Sequence, residues 1–353
     1  MLSDSILGLH MKKLGRILFL TNSKSGGGAE RSINLLANEL FSQGLKVSLI
    51  CINSGPKDIV ENLCPTFTLN RRKNFNIIHQ VSVLKSFHKV IKIIDPDTLI
   101  LNCELPELFS CFTSRTIKKV LVEHSSPSWV GRRRLGLIVR NILFNIHKAQ
   151  PLRVSSHVRV YCGKGLNSIV IPNLVLLPKR LDANYNELKR IVYIGRLDRE
   201  IKRTHMAVEI AKLLEVPILL IGDGPLIQEL DSIKQTMGID IEHESWTPDP
   251  WAKLGKGDLL CLTSENESDG LVAVEAIASG VPVIFSNIQA HRRFNLSEHQ
   301  YFANSSEAAE KVEKYREALS LFSVKKEKRD EILKDRDIEA ISAKWVNFLS
   351  SLE

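Results

Sequence analysis

Two successive series of alternating strand-like and helix-like segments constrain this chain more than any other feature. The first runs RILFLT (16–21), AERSINLLANELFSQG (29–44), KVSLICI (46–52), a helical pattern around 77–94, TLILN (98–102), KKVLVEH (118–124) and a long helical pattern to 148. The second runs RIVYIG (190–195), a helix at 202–215, PILLIG (217–222), a helix at 225–237, IDIEH (239–243), GDLLCL (257–262), a helix from about 270 and VPVIFS (281–286). Short apolar runs separated by amphipathic stretches predict parallel strands joined by crossover helices. The chain is therefore expected to be α/β, with two doubly wound units. Its 353 residues exceed what one average core holds. The polar stretch LLPKRLDANYNELKR (176–190) has a proline and no clear period, and is expected to be the linker.

Composition removes several classes of function. No apolar run approaches the ~18 residues of a membrane span, and the amino-terminal apolar stretch is too short and interrupted for a secretory signal. Residues before Met11 are expected to be a disordered tail, an alternative start or a segment added to the natural chain. The six cysteines have no paired CxxC spacing, which predicts reduced, buried thiols in a cytoplasmic protein. The net charge of +8 is carried by the half before residue 181, so that half needs an anionic partner. Nucleic acid fits poorly, since there is no Cys/His zinc pattern, no aromatic-glycine RNA-binding signature and few aromatics for stacking. An anionic membrane surface or a lipid pyrophosphate fits better.

Ligands of such sheets bind outside the carboxyl ends of the strands, so the strand-to-helix junctions are the candidate sites. In TNSKSGGGAERS, Gly26, Gly27 and Gly28 allow close backbone approach, and the helix that follows offers free N–H groups to an anion; a plain turn remains the alternative. In YIGRLDREIKRTH, Arg196 and Lys202 can reach phosphate oxygens, although each alone reads as a solubilising surface charge. IGDGPLIQEL places Gly222 and Gly224 around a tight turn, for which packing is sufficient reason. In ENESDGLVAVEAIASGVPVIFSN (265–287), Glu267 and Glu275 are eight positions apart, Gly270 turns the chain, and the N–H groups of Leu271 and Val272 open a helix. Capping explains Glu265 and Asp269 but not a glutamate well inside the helix. A carboxylate accepting from two vicinal sugar hydroxyls fits there.

Together these segments resemble the retaining glycosyltransferases of family 4, the glycosyl transferases group 1, which have the GT-B fold. The resemblance runs from GGGAERSINLLANEL through VEHSS, IVIPN, IGRLDREIKR and IGDGP to ENESDGLVAVEAIASGVPVIFSN. It implies two Rossmann-like domains facing across a cleft: an acceptor-side domain at 1–178, a nucleotide-sugar domain at 179–335, and a helix at 336–353 crossing back to the first domain. It implies that Arg196 and Lys202 hold the donor diphosphate, with Gly27, Gly28, Gly222, Gly270, Leu271 and Val272 around the donor. Glu275 would bind the ribose, Glu267 the transferred sugar, and His124 would lie near donor and acceptor. Where the family has a glycine and an apolar residue after the first glutamate, this chain has Ser268 and Asp269, which puts Asp269 in reach of the sugar.

The implied transfer retains anomeric configuration and needs no metal or other cofactor; a UDP-sugar is the expected donor. Asp95-Pro96-Asp97 has a metal-pair spacing but precedes its strand, on the wrong sheet edge, and reads as a turn. In GRRRLGLIVRNILFNIHK (131–148), Leu135, Ile138, Val139, Ile142, Leu143 and Ile146 predict a core-facing helical stripe. Arg132, Arg133 and Arg134 sit at the helix start, where the dipole disfavours cations; similar basic helices occur in family members that extend lipid-linked glycans. The expected acceptor is accordingly a lipid-linked glycan or lipopolysaccharide precursor, met at the inner face of the cell membrane by a cytoplasmic, peripherally bound enzyme. Two alternatives remain: an epimerase or phosphorylase of the same architecture, and a non-catalytic sugar-nucleotide or polysaccharide binder. A dehydrogenase lacks its spaced glycine fingerprint.

Overall fold

The structure is a computed structural model that describes residues 14–24, 27–54, 62–72, 76–124, 128–163, 166–181 and 187–352. Expectations placed on residues 1–10, Gly26, the serines that follow His124, and part of the linker lie outside this set. The chain divides into two compact units: the first ends at Val175 and is rejoined by Arg336 and the closing helix, and the second runs from Leu176 to Asp335.

In the first unit, chain order is β1 (Ile17–Thr21), α1 (Gly28–Ser42), β2 (Val47–Asn53), β3 (Thr66–Arg71), α2 (Ile77–Ile94), β4 (Thr98–Asn102), α3 (Glu104–Ser110), β5 (Lys118–Glu123), α4 (Arg133–Asn141), β6 (Gln150–Arg153) and β7 (Ile169–Val170). The seven strands form one sheet in the order β3-β2-β1-β4-β5-β6-β7, every pair parallel. β1 is buried at all its positions, as a central parallel strand covered on both faces must be. Val83 and Phe87 of α2, Phe109 of α3, and Val139 of α4 pack on one face. Ile33, Leu36 and Leu40 of α1 cover the other, beside Ile341, Trp345, Val346 and Leu349 from the end of the chain.

The second unit contains β8 (Arg190–Ile194), α5 (Thr204–Leu213), β9 (Ile218–Ile221), α6 (Leu230–Met237), β10 (Ile241–Glu244), β11 (Asp258–Leu262), α7 (Leu271–Ser279), β12 (Val283–Ser286), α8 (Gln289–Arg292), β13 (Tyr301–Phe302), α9 (Ser305–Lys314) and α10 (Lys326–Leu333). Its six strands are parallel in the order β10-β9-β8-β11-β12-β13. In each sheet the strand order reverses beside the first strand of the unit, between β1 and β4 and between β8 and β11. There the crossovers diverge and leave a crevice at the carboxyl edge. The closing helix α11 (Ile338–Ser350) starts at Asp337, whose carboxylate accepts from Ala340 N at 2.5 Å.

One expected helix is differently oriented. Of the stripe assigned to the core, Val139 and Leu143 are buried, while Leu135, Ile138 and Ile146 are 38%, 59% and 41% exposed. The inward face is instead Gly136, Val139, Arg140 and Leu143. A buried arginine sets the rotation of α4, and a π-helical turn at Ile142–Ile146 then shifts the helical phase. The cysteines also depart in part: all six are free, but Cys162 is exposed.

Candidate functional site

The second unit brings most of the expected residues together on three neighbouring strands. Arg196 and Lys202 lie in the loop after β8, Gly222 follows β9, Glu267 to Gly270 lie in the loop after β11, and Leu271 and Val272 open α7. The β8 and β11 loops are tied where residues 201–203 meet residues 263–265. Thr263 Oγ1 donates to Lys202 O at 2.8 Å, Glu265 N to Ile201 O at 2.8 Å, and Arg203 Nε to Thr263 O at 2.9 Å. Asp198 shapes the first loop from within, accepting from the N–H groups of Ile201 and Lys202 at 2.8 Å each and from Arg196 Nε at 2.9 Å.

Lys202 Nζ donates to Glu267 Oε1 at 2.5 Å, and Ser264 Oγ donates to the same oxygen at 2.7 Å. Burial on its own raises the Glu267 carboxyl; the Lys202 ammonium more than reverses this, with help from His291 and Ser264, and holds it below the usual range. Behind the loop, burial pushes His291 down to about 4. The ring is therefore neutral, with Nδ1 3.0 Å from Ser286 O, and Ser286 Oγ in turn donates to Ser264 O at 2.6 Å.

The other acidic side chains of the loop also have cations. Glu265, 61% exposed, pairs with Arg203. Asp269, 1% exposed, accepts from Arg293 Nη1 at 2.7 Å, and its carbonyl accepts from Arg293 Nη2. This overturns the expectation that Asp269 reaches toward the sugar: its carboxylate is buried on an arginine of the β12 side and fixes the loop. Gly270 caps α7 with φ 59°, a left-handed conformation that a Cβ would strain. The first N–H groups of α7, those of Leu271 and Val272, are thereby left for an anion. Glu275 lies one turn inside and is 2% exposed. Gly222 is explained by packing, because a Cβ there would sit 2.1 Å from Gly195 O.

In the first unit, Gly27 caps α1 and Gly28 opens it after β1, while His124 directly follows the last residue of β5. Sequence reasoning missed what anchors the His124 segment. Arg140, 1% exposed, donates to Glu107 Oε2 and Oε1 at 2.6 Å each and to both oxygens of Glu123. Trp129 Nε1 donates to Glu107 at 2.9 Å, and Tyr161 N and Ser128 Oγ donate to Glu123 at 3.2 and 3.3 Å. Two buried carboxylates thus share one guanidinium. Arg132, Arg133 and Arg134 stand exposed at the start of α4, beside Val130, Leu137 and Ile138 at 76%, 47% and 59% exposure. Burial first, and then the charge of Arg132, lowers the pKa of Arg71 on β3, which places a fourth, half-buried guanidinium near the three.

Burial pushes Glu107 up to about 7, against the pull of Arg140 and with the repulsion of Glu123. The unfolded chain ionises at the ordinary glutamate value while the folded protein keeps the proton, so this group's contribution to stability is complete below about pH 4.5 and is lost as pH rises to about 7. Relative to Glu107→Gln, which does not titrate, the wild type is expected to lose on the order of 3 kcal/mol across that window. Urea unfolding of both proteins at several pH values measures it; a pH-independent difference contradicts it.

Residues 180–334 match the family model described as glycosyl transferases group 1. Over its second unit the chain is thus similar to the glycosyl transferases group 1, and it has the GT-B fold expected from its sequence. Its curated relatives include an uncharacterized glycosyltransferase of Haemophilus influenzae, 27% identical over 78% of this chain and 81% of the relative. A Campylobacter jejuni alpha-1,4-N-acetyl-D-galactosaminyltransferase is 24% identical over 74% of this chain and 76% of the relative. Among solved structures, HepE of Anabaena, in complex with UDP-glucose, superposes with TM-score 0.75 at 17% identity, covering 96% of this chain and 100% of that one. Sucrose-phosphate synthase of Thermosynechococcus elongatus superposes with TM-score 0.74 at 16% identity, covering 96% and 98%.

Proposed function

We propose that the enzyme moves a hexosyl or N-acetylhexosaminyl group from a UDP-sugar to a lipid-linked glycan or lipopolysaccharide precursor, with retention of configuration. The observation that carries the donor side is the meeting of Lys202, Glu267 and the start of α7 on the tied β8 and β11 loops. A cation and the N-terminal N–H groups of a helix suit a diphosphate, and a carboxylate beside them suits sugar hydroxyls.

In this reading Arg196 and Lys202 bind the diphosphate and stabilise it as it leaves, Leu271 and Val272 offer backbone donors, and Glu275 takes the ribose. Gly27, Gly28, Gly222 and Gly270 let the backbone approach, Glu267 holds the sugar, and His124 lies against the donor sugar and acceptor. The acceptor hydroxyl attacks the face that the nucleotide leaves, so rate comes from positioning and charge stabilisation rather than from a protein nucleophile or a metal. HepE was solved with UDP-glucose, which favours UDP as the nucleotide. A thermal-shift screen across UDP-, GDP- and ADP-sugars tests it: stabilisation by UDP-sugars is expected, and stabilisation by none of them sinks the reading.

The name of the Campylobacter relative gives its acceptor as a glycan on undecaprenyl diphosphate. Arg132, Arg133 and Arg134, with Arg71 nearby, suit such a pyrophosphate and the anionic surface around it, and would bring the enzyme to the membrane face from the cytoplasm. Among the described residues no helix is long and apolar enough to cross a membrane. The triple substitution of Arg132, Arg133 and Arg134 by alanine is expected to reduce turnover on the lipid-linked acceptor at least tenfold and to weaken sedimentation with vesicles containing phosphatidylglycerol. Wild-type values in both measurements reject the assignment.

A further inference from the structure

Lys202 and Glu267 are each other's partners in the structure, with 26% and 17% of their side chains exposed. Yet the donor-site reading gives them different targets: the ammonium a phosphate, the carboxylate the sugar hydroxyls. Ile201 and Arg203, on either side of Lys202, are hydrogen-bonded to Glu265 and Thr263, and Asp269 beyond Glu267 is held by Arg293, so an ammonium that turns to a phosphate leaves Glu267 rather than carrying it along. The carboxylate then keeps Ser264 Oγ but loses a close cation, and a largely desolvated carboxylate separated from its cation is costly.

Resting on that donor-site reading, we propose that the Lys202–Glu267 pair couples recognition of the diphosphate to recognition of the sugar, so that the site discriminates the intact donor from its nucleoside diphosphate product. A nucleoside diphosphate alone offers Lys202 a new anion and offers Glu267 nothing in return. A nucleotide sugar supplies both, because its hydroxyls donate to the carboxylate as the ammonium departs. Once the sugar has been transferred, Glu267 reclaims Lys202, and the pair re-forms as the diphosphate is released. No bond is made or broken by the pair; it is a specificity device acting through charge.

Isothermal titration with UDP and UDP-glucose, and with GDP, ADP and their glucose conjugates if UDP does not bind, tests this on the full chain without acceptor. Glu267→Gln removes the charge while keeping the size and an acceptor for Ser264. It is expected to bind the nucleoside diphosphate at least tenfold more tightly than the wild type, and to bring the ratio of the two dissociation constants, diphosphate over nucleotide sugar, down at least tenfold. Glu267→Ala carries the same expectation for the free diphosphate if the glutamine variant is unfolded by circular dichroism. In the Glu267→Gln background, Lys202→Gln should weaken the diphosphate at least tenfold more than it does with Glu267 present. A folded Glu267 variant whose ratio and diphosphate affinity stay within twofold of wild type overturns the coupling alone. A wild type that binds none of these nucleotides overturns the donor-site reading as well.

Discussion

Arg140→Met is expected to destabilise the first unit by about 3–5 kcal/mol, the scale for removing one partner of a buried ion pair. Methionine can occupy much of the volume, so the loss is one of charge. Glu107 and Glu123, which both lean on the guanidinium, would face each other without it. Glu107, whose carboxyl burial already raises, would take up a proton the more readily, and the sign of the pH effect follows: with a raised carboxyl value in the folded state, stability declines as pH rises. The penalty should therefore be smaller at pH 5 than at pH 8, as chemical denaturation can show. Because Glu123 immediately precedes His124 and Ser128 also holds Glu123, turnover is expected to fall in the fraction that remains folded. A variant as stable as wild type at pH 8 contradicts this account of the network.

Lys202→Met is expected to lower turnover about 10²–10³-fold, the usual scale for deleting one preorganised group that meets developing charge. Negative charge accumulates on the diphosphate as the glycosidic bond breaks, and Lys202 is the close ammonium on the carboxylate that is assigned to the sugar. Arginine at this position keeps the charge but not the compact ammonium, and should restore only part of the rate. Steady-state nucleotide release, measured with the donor found in the thermal-shift screen, decides the matter. A turnover within threefold of wild type would remove Lys202 from the reacting charge.

Both the fold and the family likeness were legible in the sequence for a physical reason. Parallel strands buried on both faces must be continuous apolar runs, and RILFLT, TLILN and GDLLCL became β1, β4 and β11. Edge strands carry less of this signal: β3 reads TFTLNR and β7 is two exposed residues, and neither was anticipated. Periodicity placed α4 but misjudged its inward face, because it counts apolar residues and cannot foresee that Arg140 will be buried by two glutamates from other elements. The candidate site shows the same division. Glu267 and Lys202 were legible from their spacing to strand ends, whereas Arg203, His291, Arg293 and Asp198 act through partners far away in the chain or through backbone groups. Asp269 was misassigned for that reason, its cation being contributed from beyond β12.

The three ion pairs along the acidic loop have a consequence for engineering. Glu265, Glu267 and Asp269 are neutralised by Arg203, Lys202 and Arg293 respectively, so the loop is one half of an arrangement encoded in three separate stretches of sequence. A chimaera that grafts residues 264–272 into a relative would import three carboxylates and none of their cations. For Glu267 and Asp269, whose carboxylates are largely buried, replacing Lys202 or Arg293 alone leaves a desolvated charge without the cation it rests on in the structure.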